Sequence, residues 1–184
     1  MPVTEKTKNR FRWESVTAIA SGLIALATFA AVFYQAYMMR QQTRAATWPH
    51  LSLIRSFEDN VLQIAVRNDG VGPANVVAVV VNVDGEARTS WDEVYAALSI
   101  EFHQDTKTST SSLNNTVFFP GEVRPVLSIS GDPSMPEIAQ KLRQVSGAIC
   151  YCSVLNDCFI AGDFRETPAK DHCKAILAYP QFKG

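Results

Sequence analysis

SVTAIASGLIALATFAAVFYQAYMM, residues 15–39, carries no formal charge, and Gln35 is its only strongly polar side chain. A helix crosses the ~30 Å hydrocarbon core of a bilayer with about 20 predominantly apolar residues, so this run is long enough to span with some tilt. Lipid offers the backbone no hydrogen-bond partners, which makes the whole segment helical. Phe11 and Trp13 precede it, and Tyr34, Tyr37 and Trp48 lie at or beyond its far end. Such amphipathic rings favour the headgroup level. A cleaved signal peptide would have an apolar core of roughly 7–15 residues followed by a small-residue cleavage site. Here the run is much longer and gives way to Tyr37-Met38-Met39-Arg40, so the expectation is an uncleaved signal anchor.

Outward from the run, Lys6, Lys8, Arg10 and Arg12 stand before it, against Arg40 and Arg44 after it. The positive-inside rule counts Lys and Arg, and so predicts a cytoplasmic N-terminus and an extracytoplasmic C-terminal domain on the cell (inner) membrane. Small residues at Ala18, Ser21, Gly22, Ala25, Thr28 and Ala31 recur at helical spacing and mark a candidate packing face for another helix. The chain therefore divides into a basic stub (1–14), a transmembrane helix (15–39), a linker (40–49) and one domain (50–184).

Charge separates the same regions. Residues 1–44 hold six basic and two acidic residues, whereas residues 45–184 hold eleven basic and sixteen acidic ones. An acidic domain without a basic stripe argues against nucleic-acid binding, which depends on neutralising phosphates. The basic stub serves as a topology signal and suits anionic lipid.

The domain reads mostly as strands. Leu51–Ile54 is a first short one, and in 61–68 Leu62, Ile64 and Val66 share a face opposite Gln63 and Arg67, the half-buried period-two pattern. Asn68-Asp69-Gly70-Val71-Gly72-Pro73-Ala74 is dense in turn formers; Asp69-Gly70 is a hairpin signal, and Gly70 and Gly72 are expected to supply φ > 0. The β-branched run 75–83 requires a buried strand, closed by a turn at Asp84-Gly85.

Ser90-Trp91-Asp92-Glu93 and Ser134-Met135-Pro136-Glu137 have the form of capping boxes, predicting helices over 91–98 and from 135 to Gly147, with Ile138, Leu142 and Val145 on one face. Residues 106–116, rich in Ser and Thr, read as a mobile loop, and Asn114-Asn115-Thr116 fits a glycosylation acceptor. Strands are expected at 116–119, 123–129, 145–154, 158–164 and 174–179. Seven or eight short strands with two brief helices predict an antiparallel β-sandwich, with a small β-barrel as the alternative.

The Asn68–Ala74 stretch, the Val-rich strand after it and the later Pro120-Gly121-Glu122 resemble small bacterial single-span membrane proteins of uncharacterised function. That resemblance implies an immunoglobulin-like outer domain and no particular activity.

Chemistry-bearing residues concentrate at the C-terminal end. Cys150, Cys152, Cys158 and Cys173 are the four cysteines, and an even number in an extracytoplasmic domain favours disulfides. Cys150 and Cys152, two apart on a strand, share a face. One bridge joining the 150–152 strand to Cys158, with Cys173 pinning the C-terminal strand, is one arrangement among the three that four cysteines allow. A metal site would draw on Cys150, Cys152, Cys158, His172 and Cys173, although structural zinc usually uses Cys-x-x-Cys pairs, which are absent.

No Gly-x-Ser-x-Gly elbow, no His-Glu-x-x-His and no phosphate loop is present, so no catalytic or cofactor-binding set is expected. His50 and His103 read as ordinary surface residues, and Asp157, Asp163, Glu166 and Asp171 as a solvated acidic face. The expected function is a single-pass membrane protein whose β domain binds a protein, as an accessory subunit or through self-association. Two other readings are a redox or metal-handling protein using the cysteine cluster, and a cytoplasm-facing sensor.

Overall fold

The computed structural model describes residues 5–162, 166–169, 171 and 173–184. The chain forms two compact units, 1–45 and 46–184.

Among the described residues the first unit is a single helix, α1 (Glu5–Ala46), which runs one residue into the second unit and whose stretch from Ser15 onward is long and apolar enough to cross a membrane. Residues 40–46, expected as linker, continue the helix. Arg40, Gln41, Gln42, Arg44, Ala45 and Ala46 are good helix formers, and no Gly or Pro intervenes before Pro49. Within the apolar run the hydroxyls have local acceptors: Ser21 Oγ donates to Thr17 O at 2.8 Å, and Thr28 Oγ1 to Ile24 O at 2.8 Å. Such back-bonding satisfies polar side chains where lipid cannot.

The second unit is mainly antiparallel β. Its strands are β1 (Leu51–Glu58), β2 (Val61–Asn68), β3 (Ala74–Val83), β4 (Glu86–Arg88), β5 (Lys107–Thr110), β6 (Val117–Phe118), β7 (Val123–Ser130), β8 (Val145–Cys152), β9 (Cys158–Gly162) and β10 (Glu166–Pro168). They form two sheets, not one closed barrel. One has the order β1-β2-β7-β5, and the other β10-β9-β8-β3-β4 with β6 also on β3. Short helices α2 (Trp91–Ala97) and α3 (Met135–Lys141) lie in the connections, and α4 (Lys174–Leu177) follows the last strand.

The two sheets enclose one apolar core. Leu62, Ile64, Val66, Leu127 and Ile129 come from the first; Val76, Val79, Val81, Ile149 and Tyr151 come from the second. A bulge between Ile64 and Ala65 leaves both of them buried. Two hydrogen bonds tie the sheets along the β1 edge: Leu51 N donates to the buried Tyr151 hydroxyl at 3.2 Å, and Arg55 Nη2 to Val145 O at 2.9 Å.

β3 is buried on both faces, which accounts for its unbroken apolar run. Its inner residues enter the main core, whereas Ala78 and Val80 join Cys150, Cys152, Cys158, Ala169, Cys173 and Ile176 in a second cluster on the outer face. Between its pairings with β6 and β4, β3 is covered by the C-terminal tail, where Val79 N donates to Gln181 Oε1 and Phe182 N to Val79 O.

Several sequence expectations are corrected. Asp69-Gly70 makes no hairpin, because β2 and β3 belong to different sheets. The β1–β2 hairpin instead turns at Asp59-Asn60, both with positive φ, and the β3–β4 hairpin turns at Asp84-Gly85, as expected. β1 is twice as long as the expected first strand. α3 stops at Lys141, and a 3₁₀ turn (Leu142–Gln144) leads into β8, so Val145 belongs to a strand. Residues 107–110, expected as loop, form an exposed edge strand. Residues 174–177, expected as strand, form α4; Lys, Ala and Leu favour helix, and only Ile176 there is buried. Ser134 makes no cap bond at α3, since its hydroxyl donates to Asp132. The Ser90 cap does form: Ser90 Oγ accepts from Glu93 N at 3.3 Å, while the Glu93 carboxylate accepts from Thr89 N, one residue before the cap, at 2.7 Å.

Candidate functional site

Alternation along β8 sends Ile149 and Tyr151 inward and Cys150 and Cys152 outward, and on β9 Cys158 shares that outer face. Cys152 and Cys158 stand directly opposite in the β8–β9 ladder and are joined by a disulfide, with Cα atoms 4.0 Å apart. Cys150 is joined to Cys173, Cα–Cα 5.8 Å, which holds the segment carrying α4 against the sheet. All four cysteines are accounted for by these two bonds.

The surrounding backbone fixes the segment. Ala169 N donates to Cys158 O at 2.8 Å, and the Asp171 carboxylate caps α4 by accepting from Ala175 N at 2.7 Å. Cys173 occupies the position before α4 with φ of +70°. At the hairpin tip, Ser153 Oγ accepts from Leu155 N and Asp157 N, each at 3.2 Å, so this turn is also built.

The two disulfides are neighbours. The sulfurs of Cys152, Cys158 and Cys173 all lie within 4.8 Å of one another, and all three residues are buried. Paired in this way the sulfurs offer no thiolate to a metal ion, and His172 lies outside the described residues, as do Asp163 and the side chain of Glu166. What the cluster presents is a pair of neighbouring S–S bonds.

Comparison with protein-family models finds no match. Comparison with curated proteins finds none either.

Three further arrangements were hidden in the sequence. The first is a clamp on the chain where it enters the domain. Asn68 is fully buried; its Oδ1 accepts from His50 N at 3.2 Å and Gly70 N at 3.0 Å, and its Nδ2 donates to Gly72 O at 2.8 Å and Phe118 O at 3.2 Å. Gly70 and Gly72 do not have positive φ, correcting the sequence expectation. They are small because a Cβ at Gly70 would overlap the backbone of Pro49 and His50, and one at Gly72 that of Thr47. Val71 N and Gly72 N both donate to Trp48 O.

The second is a buried carboxylate. Asp132 accepts from Ser134 Oγ at 2.5 Å, Thr106 Oγ1 at 2.6 Å, Ser134 N at 2.8 Å and His103 N at 3.0 Å, with His103 Nδ1 at 3.2 Å. Hydrogen bonds from Ser134 and Thr106, more than the opposing effect of burial, hold it well below the usual carboxylate range. His103 is an exposed surface residue, as expected, and its backbone and ring nitrogens are partnered by Asp132. Because Ser134 donates to Asp132 instead of to the imidazole, this is not a nucleophile–base arrangement. Asn114 of the glycosylation sequence is likewise engaged, donating to Phe182 O at 2.5 Å.

The third is an apolar end. Antiparallel register puts the start of β1, the end of β2, the starts of β3 and β7 and the β8–β9 turn at one end of the domain. Val71 (63% exposed), Phe119 (65%), Val123 (52%) and Val154 (61%) project there. Two charge pairs accompany them: Asp69 is held by Ser52 and Arg67, and Glu122 by Phe119 N at 2.9 Å and Arg124 at 2.5 Å. These bonds keep both carboxylates below their ordinary range, the Ser52 hydroxyl being the main cause at Asp69 and the Phe119 amide at Glu122. A mainly apolar cavity of about 70 Å³ between the sheets is lined by residues such as Trp91, Val126 and Phe182, with Ser52, Arg55, Ser111 and Ser146 also on its wall.

Proposed function

We propose that this is a single-pass membrane protein, anchored by α1 with its N-terminus in the cytoplasm, whose β domain is an immunoglobulin-like sandwich that binds another protein as an accessory subunit. The order β1-β2-β7-β5 of the first sheet, and the run β9-β8-β3-β4 within the second, which also carries β10 and β6, have the sequence expected of A-B-E-D and G-F-C-C′ strands, which supports the reading. Two disulfides suit an oxidising compartment and support the outward orientation. Kinship with small bacterial single-span proteins belongs to the same proposal.

The observation that carries the binding role is the apolar end. Exposed apolar residues clustered among polar neighbours mark interaction surfaces in soluble domains. Val71, Phe119, Val123 and Val154 are such residues, and the nearby carboxylates Asp69 and Glu122 already have cationic partners within the domain. The partner chemistry that fits is a weakly charged apolar recess on a protein sharing the membrane. Anchoring both in one membrane raises their effective concentration, so a modest patch suffices.

Photo-crosslinking tests this, with the crosslinker placed at residue 119 of the full-length protein in its own membrane. A discrete protein adduct, lost when Val71 and Val154 are both changed to Asp, is the expected result. Adducts to lipid alone, or protein adducts indifferent to those changes, contradict it. An adduct to a second copy of the chain replaces the accessory-subunit reading with self-association.

A further inference from the structure

The sulfur cluster has a geometry that binding does not use. Cys152–Cys158 closes the hairpin tip, its residues 9% and 7% exposed, whereas Cys150 and Cys173 are both at 0%. Cys173 Sγ nonetheless lies within 4.8 Å of both sulfurs of the outer bond. A reagent that enters through local opening of the β8–β9 turn meets Cys152–Cys158 first, since hairpin ends open more readily than strands buried on both faces. The inner bond is reached from within.

We propose that the cluster is a thiol–disulfide exchange centre that accepts electrons from a dithiol, small or protein-borne, at Cys152–Cys158 and then moves the remaining disulfide onto Cys173, freeing Cys150. In the first step a thiolate of the dithiol attacks one sulfur of Cys152–Cys158, giving a mixed disulfide, and its second thiolate resolves that bond. The dithiol leaves as its disulfide; its two electrons, with two protons, remain on Cys152 and Cys158. In the second step a thiolate at Cys152 or Cys158 attacks Cys173 Sγ. A bond to Cys173 forms as Cys150–Cys173 breaks, and Cys150 departs as the thiolate and takes up a proton. This step is an isomerisation without net redox change. Thiol–disulfide exchange proceeds by such attack of a thiolate on a disulfide sulfur, and proximity makes it intramolecular.

Disulfide mapping of the full-length protein in detergent tests the exchange. The protein is treated with less than one equivalent of dithiothreitol per disulfide, quenched in acid at successive times, alkylated, digested and read by mass spectrometry. The expected two-thiol species contains Cys173 bonded to Cys152 or Cys158, with Cys150 alkylated. Two-thiol species that at every time retain only native pairings contradict the proposal. A second arm uses Cys150→Ser without any reductant. Here Cys173 is expected to be distributed between the free thiol and bonds to Cys152 or Cys158; an alkylated Cys173 beside an intact Cys152–Cys158 in all molecules overturns the exchange.

Discussion

The inner face of the second sheet meets side chains from both sheets, from α2 and α3 and from the C-terminal tail, whereas its outer face meets little more than the segment around α4. Inside, large residues such as Phe118, Tyr151, Leu127 and Met135 are fully buried. Outside, the cluster is built from Ala78, Val80, Ala169, Ile176 and four cysteines. Burial of a large apolar side chain contributes about 1.5–3 kcal/mol, and Ala far less, so the inner core stands on its apolar area while the outer one has little. A small core needs covalent staples, and two disulfides lie where the area runs short.

The largest expected effect comes from breaking the inner core. Phe118→Ala leaves a cavity between the sheets and is expected to cost about 3–5 kcal/mol in denaturant unfolding of the domain. Opening the longer staple comes next. Cys150 and Cys173 are 23 residues apart, and replacing both by Ala is expected to cost about 3 kcal/mol. Cys152 and Cys158 are only 6 apart, so the corresponding double variant is expected to lose about 2 kcal/mol, read in the same assay. If the two disulfide variants were each as damaging as Phe118→Ala, the outer cluster would be no satellite but part of one core.

The smallest effect lies away from both faces and separates acid sensitivity from packing. The Asp132 pKa is depressed in the fold from an ordinary 3.8, so its contribution is fully present above about pH 4 and drains away as pH falls through the folded value. Acid titration of unfolding should show this loss below about pH 4, and Asp132→Asn should flatten it while lowering stability at neutral pH. An unchanged acid limb in Asp132→Asn would assign the acid sensitivity to other groups.

Sequence made some of this legible. The alternation of Leu62, Ile64 and Val66 gave β2 and its buried face, and the Val-rich run demanded burial of β3. A spacing of two put Cys150 and Cys152 on one side. What could not be read were features set by distant chain. β5 escaped because all four of its residues are exposed on an edge, so Ser and Thr there carry no apolar alternation. The covering of β3 by Gln181 and Phe182 leaves no local trace. The turn-rich context of Gly70 and Gly72 suggests positive φ, yet what they permit is close approach of the backbone of Thr47, Pro49 and His50, a contact no short-range pattern encodes. Asp59-Asn60 was readable in principle, since both residue types tolerate left-handed backbone and sit between two apolar runs. Disulfide connectivity required the register of β8 against β9.

Native-state hydrogen exchange of the full-length protein, compared before and after full reduction, distinguishes the two cores most directly. Reduction is expected to strip protection from residues 158–162 and 173–178 while β2, β3 and β7 keep theirs, as an independent inner core requires. Loss of protection across all strands together would show that the disulfides hold the whole domain, and would contradict the division between an area-built core and a stapled one.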